Sequence, residues 1–101
     1  MVSNTDEDEL WNLVGFLRIS STRYKTLEAL VTEYLIPSDI VKRTNLKPAQ
    51  VSLALHDLKE KKLIKCMNEK AKKGRIYHAT SLGKESFKMV NDYLMNDKND
   101  P

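Results

Sequence analysis

A chain of 101 residues has room for one hydrophobic core and none for a separate catalytic domain beside it. Its 41% hydrophobic and 31% charged residues suit a folded protein, its single cysteine excludes an intramolecular disulfide, and no run nears the roughly 18 apolar residues of a membrane helix. The formal net charge is +3 but is unevenly spread: eight basic residues between Lys59 and Arg75 face only Glu60 and Glu69, while both ends of the chain are acidic.

The first periodic segment runs from about residue 7 to 17, with Leu10, Trp11, Val14 and Leu17 at helical spacing and acids in its first turn, where the helix dipole favours them. Ser20 or Ser21 caps a second helix to about Glu33, which places Tyr24, Leu27, Leu30 and Val31 on its buried side. Pro37 then opens a short third helix with Ile40 and Val41 inward. After the polar connection Thr44-Asn45-Leu46-Lys47, Pro48 opens a fourth helix to about Lys61, whose apolar stripe is Val51, Ala54, Leu55 and Leu58. Two short helices joined by four residues predict a helix-turn-helix. Leu63 to Met67 and Arg75 to Thr80 read as strands around a lysine-rich loop, Asn68 to Gly74. A last helix, capped by Thr80 or Ser81, runs to about Met95 and buries Phe87, Val90 and Leu94, leaving a polar, frayed tail over 96–101.

The predicted architecture is α+β and mainly helical, a winged helix-turn-helix with a two- or three-stranded hairpin wing and extra terminal helices. The expected division is an N-terminal helix over about 6–17, a winged-helix core over 18–80 and a C-terminal helix over 81–95, all in one domain. The order and the residues resemble archaeal winged-helix regulators akin to the MarR and ArsR types. The resemblance rests on Tyr24-Lys25-Thr26-Leu27-Glu28-Ala29-Leu30, Ile36-Pro37-Ser38-Asp39-Ile40-Val41, Val51-Ser52-Leu53-Ala54-Leu55 with Leu58, and Lys62-Leu63-Ile64. It is completed by Ala71-Lys72-Lys73-Gly74-Arg75-Ile76-Tyr77 and Thr80-Ser81-Leu82-Gly83-Lys84. Two positions depart from it: Lys62 stands where glycine is frequent, and Leu53 where arginine is common.

What this resemblance implies is a transcription regulator that binds double-stranded DNA as a two-fold dimer. Its fourth helix would lie in the major groove, where Ala49, Ser52, Leu53 and His56 face outward and Lys47 and Gln50 sit at the entry. Gln50 is the first choice for a bidentate contact to adenine, Leu53 for an apolar contact to thymine methyls or to a protein partner. Ser38 and Lys47, at helix starts, suit phosphate contacts. Lys70, Lys72, Lys73 and Arg75 would place the wing on flanking phosphates or in a minor groove. Trp11, Phe16, Phe87, Tyr93, Met89 and Met95 supply the apolar area expected of a dimer interface on the terminal helices.

No nucleophile or acid–base motif and no glycine-rich phosphate loop is present, so an enzyme is not expected. Neither is a metal site, because Cys66, His56 and His78 are scattered and too few for one. Cys66 reads as a packed strand residue, with a redox-sensing thiol as its alternative. The acidic start lacks a secretory pattern, which predicts a cytoplasmic protein. The rival function is a winged-helix protein-interaction module of the transcription machinery. Double-stranded RNA is disfavoured by its narrow major groove.

Overall fold

The computed structural model describes residues 3–99, with side-chain surroundings described for residues 7–94. In chain order the elements are α1 (Ser3–Arg18), α2 (Ser21–Thr32), α3 (Pro37–Thr44), α4 (Pro48–Glu60), β1 (Ile64–Cys66), β2 (Tyr77–Ala79) and α5 (Ser81–Asn99). Both terminal helices are longer than expected. The segment before residue 6 holds no glycine or proline to stop α1, and the residues after Met95 are polar but contain no breaker before Pro101. α5 packs along α1.

Aliphatic side chains from every element meet in one core. Leu17, Leu27, Leu30, Ile40, Leu58 and Leu63 are fully buried in it, with α2 at the centre against α4 and α5. On α1 the buried face is Leu13, Val14 and Leu17, whereas Trp11 turns outward at 48% exposure. Ser20 caps α2 by accepting the Arg23 N–H, as expected. Tyr24 donates its hydroxyl to Asn91 Oδ1 at 2.6 Å and ties α2 to α5. Burial, and then the nearby Glu28 charge, raise its pKa above the usual tyrosine value.

The turn between α3 and α4 is built from local hydrogen bonds. Asn45 adopts a left-handed conformation at φ 62° and closes α3 through its N–H to the Val41 carbonyl, while half-buried Leu46 anchors the turn in the core. The end of α4 follows the same logic with a less suitable residue. The Lys62 and Leu63 N–H groups bond back to the Lys59 and Leu58 carbonyls at 2.9 and 3.0 Å, which requires φ 62° at Lys62. The glycine absent from the resemblance is thus absent at a left-handed helix cap. Lys62→Gly is expected to raise thermal stability by about 1 kcal/mol, a Tm rise of roughly 4–8 °C in a domain of this size, measurable by calorimetry.

β1 and β2 pair antiparallel, with Ile64 opposite Ala79, Lys65 opposite His78 and Cys66 opposite Tyr77. The hairpin forms a two-stranded sheet, extended by a single bridge between Leu35 and Tyr77. Cys66 is buried on the inner face. On the outer face the Tyr34 ring stacks over His78 at 3.9 Å, and His78 Nδ1 lies 3.1 Å from the Glu33 carbonyl. A carbonyl only accepts, so Nδ1 carries the proton. Thr80 then joins the sheet to α5. Its hydroxyl donates to the Lys62 carbonyl and accepts from the Gly83 N–H, and its own N–H reaches the Leu63 carbonyl at 3.0 Å. The first turn of α5 is so close to this strand that a Cβ on Gly83 would meet the Leu63 carbonyl.

Candidate nucleic-acid interface

Three elements converge on one side of the molecule. The start of α3, one flank of α4 and the base of the wing enclose an open groove of about 660 Å³. Ser38 and Lys42 line it from α3, Ser52, His56 and Lys59 from α4, and Arg75 and Tyr77 from the hairpin. None of the residues lining this groove is acidic. Lys42 and Lys59 are not among the DNA-contact residues expected from the sequence, although Lys59 opens the basic run. The signal was helical spacing, since Lys42 lies four residues beyond Ser38, and Lys59 seven beyond Ser52 on the same flank.

The core stripe of α4, Val51, Ala54, Leu55 and Leu58, leaves Ala49, Gln50, Ser52, Leu53 and His56 exposed, and Leu53 is 63% accessible. Lys47, also exposed, occupies the N-cap position. Its N–H donates to Gln50 Oε1 at 2.9 Å. Because that N–H only donates, the amide oxygen is the Gln50 atom that faces it. Lysine has no acceptor with which to return the bond, so this is half of a capping box. In this conformation a bidentate contact to adenine would require the cap to open. Position N3 of a helix is where glutamine caps, a signal present in the sequence as Lys47-Pro48-Ala49-Gln50.

The wing loop is held in shape by its own side chains. Asn68 Oδ1 accepts the Ile76 N–H at 2.7 Å, and its amide nitrogen donates to the Gly74 carbonyl at 3.1 Å, next to the left-handed φ of 64° at Gly74. Arg75 turns back across the loop: Nε donates to the Ala71 carbonyl at 2.8 Å and a terminal nitrogen to the Glu69 carbonyl at 3.1 Å. It is half-buried, a different placement from the outward Lys70, Lys72 and Lys73. Lys59 Nζ meets Glu69 Oε1 at 3.2 Å and ties the end of α4 to the loop.

The aromatics on the terminal helices divide into two pairs. Trp11 and Tyr93 are exposed and meet edge to face, with centroids 6.3 Å apart and the Arg18 guanidinium 4.5 Å from the Tyr93 ring. Phe16 and Phe87 pack within the chain. Phe16 lies under Arg23, which also bonds the Phe16 carbonyl and Asp57, and Phe87 stacks on Tyr24 at 5.2 Å. Met89 packs against the core as well, and the side chain of Met95 lies outside the described residues. Periodicity marks an apolar face but does not say whether the same chain or another covers it. Among the described residues no group of three or more His, Cys, Asp or Glu gathers at a metal-binding distance, and no helix is long and apolar enough to cross a membrane.

No family model matches this chain, and no curated protein sequence does. Solved structures do match. A PadR family transcription regulator from Clostridium difficile superposes with a TM-score of 0.68 at 24% identity, over 79% of this chain and 93% of that one. The S. aureus MepR–DNA complex gives 0.62 at 22% identity, over 98% and 86%. A MarR family transcriptional regulator from Silicibacter pomeroyi gives 0.64 at 10% identity, over 97% and 73%. The helix order, the tight turn from α3 to α4 and the hairpin that follows give this chain the winged helix-turn-helix fold that these transcription regulators share.

Proposed function

We propose that this chain is a transcription regulator that binds double-stranded DNA, with α4 in the major groove and the wing on flanking phosphates or in the minor groove. The observation that carries this reading is the groove itself: the outward flank of α4, the start of α3 and the base of a lysine-tipped wing face one direction, with no acid lining it. A strand backbone running through the groove would meet the Ser38 and Ser52 hydroxyls, Lys42, Lys59 and His56. Lys47 and the wing lysines extend the positive surface beyond it. Of the two types in the sequence resemblance, MarR is represented by a structural neighbour, the Silicibacter pomeroyi regulator. An archaeal source and a cytoplasmic location belong to the same reading. The MepR neighbour, a complex with DNA, adds to it.

The chain acts as a homodimer in this reading, through α1 and α5. Trp11 and Tyr93 are its exposed apolar contacts, while Phe16 and Phe87 are covered by Arg23 and Tyr24 of the same chain. The test is binding of the purified protein to a random-sequence duplex library, with titration across salt concentration and selection of bound sequences. Affinity that falls linearly on a log–log salt plot, with a two-fold repeated site enriched, is the expected result. Absence of duplex binding at low salt would overturn the reading and leave a protein-interaction module.

A further inference from the structure

On the reading of α4 as the recognition helix, its surface chemistry narrows what it reads. The four core residues of α4 point one way, and a step of about 100° per residue puts Ala49 and Leu53 opposite them, one turn apart. These two most outward positions in the first two turns are both apolar. Gln50 lies beside Leu53 at a spacing of three residues, and its amide oxygen is taken by the Lys47 N–H. What Gln50 offers outward is therefore a donor. The patch Ala49–Gln50–Leu53 presents methyl groups and one N–H₂, the Gln50 oxygen being turned to the helix cap.

In the major groove thymine shows an O4 acceptor next to a C5-methyl group. Guanine shows acceptors without a methyl, and adenine and cytosine both show an exocyclic donor. Among the four bases thymine alone matches an amide donor flanked by apolar side chains. We propose that Leu53 and Ala49 form a thymine-methyl reader on α4 and that Gln50, held by its own helix cap, donates to thymine O4 beside them. Leu53 takes the larger share of the methyl contact, because its side chain is larger than that of Ala49 and is 63% exposed. The departure from the resemblance at position 53 is then a change of base preference and not a lost contact.

Deoxyuridine separates this proposal from the DNA-binding reading beneath it, because it keeps the O4 acceptor and the base pairing of thymine and lacks only the methyl. The experiment takes the duplex selected by the wild-type protein, replaces its thymines one at a time by deoxyuridine, and measures affinity for the wild type, Leu53→Ala and Gln50→Glu. For the wild type, each methyl read should show as about a fourfold loss at one or two positions per half-site. Leu53→Ala should abolish that loss at one of them, with its affinity for the all-thymine duplex lowered about fourfold and its salt slope, set by phosphate contacts, retained. Gln50→Glu retains an oxygen for the Lys47 N–H and removes the donor, so a fresh selection should turn from thymine toward cytosine at the adjacent position. Duplex binding that is indifferent to uracil in the wild type, or a uracil penalty unchanged in Leu53→Ala, overturns the proposal and leaves the binding reading intact. Loss of all duplex binding by the wild type overturns the reading itself.

Discussion

Gly83→Ala is expected to lower the melting temperature by roughly 10–20 °C, the shift that accompanies a few kcal/mol of overpacking in a domain of this size. The added Cβ would meet the Leu63 carbonyl, a backbone atom already fixed by the Thr80 N–H and by its place next to β1. No side-chain rotation relieves such a contact. Either α5 lifts from the sheet, breaking the Thr80 bonds to Lys62 and Gly83, or the end of α4 shifts and disturbs the left-handed cap at Lys62. Gly15→Ala serves as the control. Gly15 lies in the last turn of α1 with nothing within 4 Å of an added Cβ, so alanine there should be neutral or stabilising by up to about 1 kcal/mol. A melting temperature for Gly83→Ala within a few degrees of wild type would show that the junction between sheet and α5 is looser than these contacts require.

The second large effect concerns charge. Replacing Lys70, Lys72 and Lys73 together by alanine should reduce the log–log salt slope of duplex binding by about 2.7, and affinity near 0.15 M salt by about a hundredfold, if each lysine displaces one counterion. Arg75 is left in place because its guanidinium bonds the Ala71 and Glu69 carbonyls, so its loss would mix charge with loop structure. The base preference obtained by selection should not change, since phosphate contacts position the protein without reading sequence. A triple variant with the wild-type slope would remove the wing from the interface. Salt-dependent affinity measured by fluorescence anisotropy is sufficient to decide.

The parts of this fold that follow a repeating pattern were readable in advance. The stripe Val51, Ala54, Leu55 and Leu58 marked both the identity and the inward face of α4, and proline before each of α3 and α4 marked their starts. The strands were placed by their apolar runs, although pairing trimmed each to three residues. What was not readable depends on which neighbour covers a residue. Arg75 looks equivalent to seven other cations in a basic run, and only the closed loop shows that it faces carbonyls. Phe16 and Trp11 both fit an apolar face of α1, yet the arginine of the next helix covers one and not the other. Gln50 falls between these cases: its N3 position is visible in the sequence, but whether its amide turns to the cap or to solvent is not.

The internal closure of the wing bears on how the thermodynamics of binding should look. A charged loop that ordered only on meeting its target would lose roughly 1–2 kcal/mol of backbone freedom per residue at that moment. Here Asn68 and Arg75 have already joined both ends of the loop, with Ile76, Gly74, Ala71 and Glu69 as their partners in the free chain. Contact then restrains lysine side chains while the backbone beneath them keeps its shape. The wing should accordingly add little of the negative heat-capacity change that marks folding coupled to association, and its share of the affinity should vary weakly with temperature.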